Sequence, residues 1–154
     1  MLASVTRLRV RSLWFLPAFS WHAFLSRNQA IRAAGFRGGR LLVDRRLAFW
    51  TLTVWESERA MKAFRGDAAH VKVMPRLAHW CDEAAYAHWP LNRDHIPSWE
   101  EAYEVLQREG KLSRVEHPSP QHEAHKFPPP RLKPLIGNDL PAQKPDENSR
   151  RMVA

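Results

Sequence analysis

Apolar and polar positions alternate over residues 5–14, with Leu8 and Val10 on one side and Arg7, Arg9 and Arg11 on the other. That period of two predicts a strand with one wet face. Pro17 then opens a helix, where its missing N–H is not needed. Trp21, Phe24, Leu25, Asn28 and Ile31 recur near the helical period as far as about Ala34. Gly35, Gly38 and Gly39 end the helix and give the chain freedom to enter the next strand. A hairpin follows, with strands predicted at 41–44 and 47–55 and a turn near 44–46. In its second strand Trp50, Leu52 and Val54 share one face, and Phe49, Thr51, Thr53 and Trp55 share the other. Apolar residues on both faces predict a strand covered on both sides, by helices on one and a second sheet on the other.

Ser57 suits an N-cap, and Ala60, Met61 and Phe64 form the buried stripe of a short helix that Gly66 ends. Asp67 caps the next helix, which reaches about Trp80 with His70, Val73 or Met74, Leu77 and Cys81 along one side. Pro75 predicts a kink or break inside it. Residues 83–89 form a closing strand. Ser98-Trp99-Glu100-Glu101 fits a capping box for a helix that stops at Gly110, and 112–115 add a short edge strand. From His117 onward the chain holds eight of its twelve prolines, with Phe127 as its only aromatic residue. That segment is expected to be extended or disordered. The expected division is therefore a domain over 4–116 and a Pro-rich tail over 117–154. No repeat of solenoid period is present.

The chain has 154 residues, 44% of them apolar, enough for one ordinary domain. Residues 1–46 carry nine Lys and Arg against one acid, Asp44, while residues 47–154 carry fifteen of each sign. The excess belongs to the first strand and helix and the turn after them. It makes either a solvated arginine-rich surface or a face for nucleic acid, anionic lipid or an acidic partner protein. No nucleic-acid motif accompanies it, so nucleic acid is not an expected partner. The single Cys81 excludes an intrachain disulfide and fits a reducing compartment. The apolar stretch over 13–25 is interrupted by Pro17, Ser20, Trp21 and His22, and it is too short to span a bilayer. The expected location is cytoplasmic, with no membrane span and peripheral membrane contact as the lesser option.

His70, near the start of a capped helix, can act as acid, base or ligand near neutral pH, or it can bond locally at the helix end. Trp21, Phe24, Trp50 and Trp55 either line a pocket for a flat or polyene ligand or are core. Leu52 and Met74 join the pocket candidates. Asn28 stands on an apolar helix stripe and needs a partner. Tyr86 and His88 share one face of the closing strand and either donate to a bound oxygen or sit at a subunit seam. His122-Glu123-Ala124-His125 is one residue short of the spacing that lets two histidines share a metal on a helix. No metal site is expected, and neither a phosphate loop nor a nucleophile elbow is present.

The element order β-α-β-β-α-β is the ferredoxin-like α+β plan. The stretches GFRGG, FWTLTVWES, AMKAF and GDAAHVKVMPRLAHWCDEA resemble an uncharacterised bacterial family. That family is similar to the antibiotic-biosynthesis monooxygenase, or dimeric α/β-barrel, superfamily and more loosely to spheroidene monooxygenase. The resemblance covers about residues 4–116. It implies a homodimer with sheets packed face to face and a cavity in each protomer between sheet and helices. It also implies binding of a hydrophobic organic small molecule, with oxidation that needs no cofactor. In that reading His70 is the base, and Asn28 or Tyr86 stabilises negative charge. Haem-degrading relatives use an Asn on the first strand and a Trp and a His on the second long helix. Residues 5–14 hold no Asn, so haem is not expected. The competing reading is a non-enzymatic dimer whose cavity is filled by its own side chains and whose basic half meets an acidic partner.

Overall fold

In the computed structural model β1 (Leu2–Val10) is the hub of the sheet, paired antiparallel with β3 (Ala48–Trp55) on one side and β4 (Cys81–Pro90) on the other. The structure describes residues 1–66, 68–92, 95–131 and 136–141, with the backbone alone for 68–70 and 136–138. β2 (Phe36–Val43) lies beyond β3, and two short strands, β5 (Lys111–Leu112) and β6 (Ile136–Pro141), form the edges. The order across the sheet is β5-β4-β1-β3-β2-β6. α1 (Leu16–Arg32) joins β1 to β2, and α2 (Glu58–Arg65) with α3 (Ala68–Trp80) joins β3 to β4. This is the ferredoxin-like plan, with its second helix divided at Gly66.

Local chemistry explains the boundaries. The Ser57 hydroxyl accepts from the Ala60 N–H at 3.2 Å and starts α2. Ser98 does the same for Glu101 at 3.2 Å and starts α4 (Trp99–Glu109). Gly35 has φ +78°, and a Cβ there would meet the Ala60 Cβ at 2.7 Å, so the turn from α1 into β2 requires glycine twice over. The expected cap Asp67 lies outside the described residues. α3 continues through Pro75 instead of breaking there.

Three expectations need correction. β1 ends at Val10, not residue 14, because its register shifts after Arg9 and Ser12 caps a 3₁₀ turn over Leu13–Phe15. The predicted wet side of β1 is not wet: Arg7 is buried. And residues 117–131 do pack on the domain. α5 (Pro120–Glu123) buries His122, and Phe127 is buried beyond it. β6 pairs with β2 from Gly38 to Val43. Residues 142–154 lie outside the described residues.

The two sheet faces are covered differently. On one, Ala3, Val5 and Arg7 alternate, with Val5 opposite Leu52 and Ala87 and Arg7 opposite Trp50 and Ala85. Ala102, Val105 and Leu106 of α4 and then Phe127 close over this face. Burying each large side chain here contributes about 1.5–3 kcal/mol. This is the surface expected to meet a twin subunit's sheet, and the chain covers it with its own C-terminal segment. Trp50 and Leu52 are at 1% and 0% exposure, so nothing is left for a second sheet to cover. On the other face α1, α2 and α3 pack in two apolar clusters, one around Trp55, Met61 and Ala30, the other around Val10, Phe19 and Cys81.

Candidate functional site

Between those two clusters the helix side of the sheet is floored by hydroxyl-bearing side chains. Thr6 lies opposite Thr51 and Tyr86, and Ser4 opposite Thr53 and His88. Above the Trp55 end an open groove of about 610 Å³ runs between α1 and α2. Its lining is mixed: Leu25, Ala33, Ala34, Ala60, Ala63 and Phe64 supply the apolar part, and Asn28, Gln29 and Arg32 the polar edge. Space exists because Ala60 and Ala63 are small, while Phe64 on the same flank stacks on Trp55 at 5.1 Å. The volume lies in the range of small-molecule sites.

The nominated residues do not converge. Asn28 lines the groove and accepts from Arg27 Nη1 at 3.1 Å. Tyr86 lies on the other flank of α2, with the Arg65 guanidinium 5.5 Å from its ring centroid. α2 thus stands between Asn28 and Tyr86. The Tyr86 and His88 rings lie tilted to each other, 5.2 Å between centroids. Burial, then the neighbouring Arg65, holds the His88 imidazole below its ordinary pKa, so it is neutral at pH 7. The backbone of His70 falls in the first turn of α3, and its side chain lies outside the described residues. Trp21, Phe24 and Met74 are exposed on the outer side of α1 and α3. Trp50 and Leu52 lie on the opposite sheet face, beneath α4, and cannot share a chamber with the others. Arg32, Ala63 and Gln29 were not nominated; their only sequence signal is a small or polar residue at helical spacing beside an apolar stripe.

Sequence reasoning also missed the main ionic cluster. Glu83, fully buried in β4, takes Arg7 as an ion pair, Arg9 Nη1 at 2.9 Å and the Ser119 hydroxyl at 2.9 Å. Arg9 also reaches Asp82 at 2.9 Å. The Arg7 guanidinium lies 4.6 Å from the Phe127 ring centroid and 5.4 Å from that of Trp50. Burial lowers the Arg7 pKa and Glu83 partly restores it. Two adjacent carboxylates, Asp82 and Glu83, at the head of β4 opposite an arginine-bearing strand were the available signal. The cluster binds the C-terminal segment to the sheet and is structural.

At the far end of α3, His79 Nδ1 donates to Glu116 at 2.6 Å, and His79, Glu116 and His117 bring ligand atoms within 4.8 Å of one another. Arg11 Nη2 stands 3.5 Å from His79 Nε2, a cation where a metal would need none. The haem constellation that the resemblance brings to mind is not assembled by the described residues. β1 carries no Asn, and Trp80 packs into the cluster around Val10 and Phe19. His122, in the near-miss metal motif, is buried and accepts from the Ala84 N–H at 3.3 Å.

A ferredoxin-like sheet with helices on one face is the fold of the antibiotic-biosynthesis monooxygenases, and solved structures of that class match this chain. A putative antibiotic biosynthesis monooxygenase from Nitrosomonas europaea matches with a TM-score of 0.54 at 17% identity, covering 60% of this chain and 100% of that one. A Mycobacterium tuberculosis protein matches with a TM-score of 0.54 at 15% identity, over 60% and 96%. SnoaB, a cofactor-independent oxygenase from Streptomyces nogalater, in a mutant form, matches with a TM-score of 0.50 at 14% identity, over 63% and 97%. At these identities the likeness is one of fold. Residues 9–127 match the family model of DUF3291, a domain of unknown function, and the chain belongs to that family. No curated protein matches it. The family model runs through Phe127, so α4 and the segment that covers the sheet belong to the domain, which extends past residue 116. No helix among the described residues is long and apolar enough to cross a membrane.

Proposed function

We propose that this chain binds a hydrophobic organic molecule with an acidic or polar group in the α1–α2 groove. The observation that carries the reading is the groove itself, an open cleft of about 610 Å³ with apolar side chains on both helices and Asn28, Gln29 and Arg32 along one edge. The opposite sheet face is packed solid, which leaves the helix side as the place for a ligand. Arg32 would meet an anionic group and Asn28 a carbonyl or enolate oxygen. Oxidation without a cofactor, which the resemblance implies, needs a substrate that can form a carbanion, and the protein then adds a base and a dry, orienting pocket. His70 is the base in that reading and Asn28 the oxyanion partner. Tyr86 has no part in it, because α2 stands between it and the groove. A homodimer fits this reading through a surface other than the covered sheet face.

Binding without chemistry is the second reading, favoured by the separation of Asn28 from Tyr86 across α2. One experiment distinguishes them. Anilinonaphthalene sulfonate, an apolar anion, is titrated against the full chain and against Ala60→Trp, which fills the groove. Saturable binding that Ala60→Trp abolishes supports the site, and binding unchanged by Ala60→Trp refutes it. Native mass spectrometry of protein taken directly from cells then identifies the co-purifying molecule. Oxygen uptake with that molecule, lost in His70→Ala while binding persists, selects the enzymatic reading; no uptake selects the other.

A further inference from the structure

We propose that the outer surface of α1 and α3 docks this protein onto an anionic lipid surface. α1 is apolar on opposite sides. Phe19 and Ala30 are buried against the sheet, while Trp21, Phe24 and Leu25 point outward at 60%, 50% and 42% exposure. Trp14, in the turn that leads into α1, is 87% exposed, and Leu13 beside it is 69% exposed. α3 packs beside α1, where Arg76 Nη1 meets His22 Nε2 at 3.3 Å, and adds exposed Val71 and Met74. Isolated exposed apolar residues need no explanation, but a surface with two tryptophans, a phenylalanine and four aliphatic side chains does.

Charge says what covers it. Neither α1 nor α3 contains a carboxylate, and residues 1–43 hold none at all. Of the arginines in the basic first part of the chain, Arg7, Arg9, Arg37 and Arg40 are paired with carboxylates. Arg27, Arg32, Lys72 and Arg76, which belong to α1 and α3, have no carboxylate partner among the described residues; Arg11, in the turn before α1, lies in the field of Glu116 beside His79. Tryptophan, phenylalanine and leucine interleaved with unpaired cations match the boundary between anionic headgroups and acyl chains. A second copy would bring the cations of α1 and α3 against helices that carry no acids of their own, and they would repel. Nucleic acid would neutralise the cations and leave the aliphatic side chains without a partner. The docking surface does not depend on the proposed ligand, although Leu25 and Arg32 belong to both surface and groove. A bound bilayer would lie beside the groove mouth.

The test is co-sedimentation of the full chain with vesicles of phosphatidylcholine alone or with about 30% phosphatidylglycerol. We expect binding to the anionic vesicles at least about tenfold tighter than to the neutral ones, weakened on raising salt from about 0.1 M to about 0.5 M. Trp14→Ser with Trp21→Ser should weaken it about tenfold or more. Both side chains are exposed, so the melting temperature should hold. Arg27→Glu with Lys72→Glu is the independent variant and should abolish the preference for anionic lipid. Three results would each overturn the proposal: equal binding to both vesicles, vesicle binding indifferent to the tryptophans, or a homodimer in sedimentation equilibrium that the tryptophan variants dissolve.

Discussion

Glu83→Gln is the sharpest probe of how the sheet is covered. The substitution keeps the shape and removes the charge, leaving Arg7 as a cation at 1% side-chain exposure between Trp50 and Phe127. Its Nε already has no partner. Removing one member of a buried pair costs about 3–5 kcal/mol, because the remaining charge stays desolvated. Arg9 softens the loss little: it keeps Asp82 at 2.9 Å, and its own side chain is 31% exposed and can reach water. Ser119 keeps an acceptor in the glutamine carbonyl. We expect about 3 kcal/mol, read as a fall in urea midpoint with unchanged slope. The double variant Arg7→Met with Glu83→Leu removes both charges. Against that gain stand the acceptors lost by Arg9 and Ser119, about 1 kcal/mol each. The double variant should therefore be more stable than Glu83→Gln alone. A single-variant loss under about 1 kcal/mol, the range of solvated surface pairs, would refute the claim that residues 119–127 seal this face from water.

Phe127→Ala should cost about 3–5 kcal/mol by urea unfolding, since it opens a void over Arg7 and Trp50, although the residue lies in a Pro-rich stretch. His122 is held neutral first by burial, with Glu83 opposing and His125 assisting, so its folded pKa lies below the unfolded 6.5. The folded state then binds fewer protons, and its stabilising contribution is present above about 6.5 and lost as pH falls through the lowered folded value. The urea midpoint should drop on acidification, and His122→Gln should flatten the drop, leaving the part due to His88, which is lowered likewise. Burial pushes the Cys81 thiol up to about 12, so a disulfide reagent at pH 8 should label it only after unfolding; rapid labelling of native protein would contradict that.

The elements were legible wherever a local rule governs them. Ser57 and Ser98 announce helices by their hydroxyls, and both caps form. The apolar content of both faces of β3 correctly implied cover on both sides. What covers one of them was not legible, because Phe127 and the arc from Ser119 to His122 act through contacts distant in sequence, within a stretch whose proline content argues for an open chain. The same blindness misplaced Arg7. Alternation assigns a face, but only the position of Glu83 across β4 shows that an arginine can be buried on it. The site suffered from α2. Spacing along α1 and β4 could not reveal that α2 lies between Asn28 and Tyr86. Nor could the period of α1 show which of its two apolar sides faces the sheet; Phe19 rather than Trp21 does.

The corrections on the sheet face have one cause. The solved relatives are matched over 96–100% of their length by 60–63% of this chain, roughly the share that β1 to β4 occupies. What lies beyond in this family is α4 and the segment to Phe127, and it occupies the sheet face that the resemblance assigns to a twin subunit. A twin sheet would present backbone and apolar side chains and would have no reason to accept an arginine. A cover from the same chain can bring Ser119 and an aromatic ring to fixed positions around one, because the connecting α4 fixes its register. Closing that face within one chain leaves the helix side as the open part of the fold. The groove and the exposed apolar surface with unpaired cations both lie there. Ligand capture and surface docking would then share α1, with Leu25 and Arg32 at their common border.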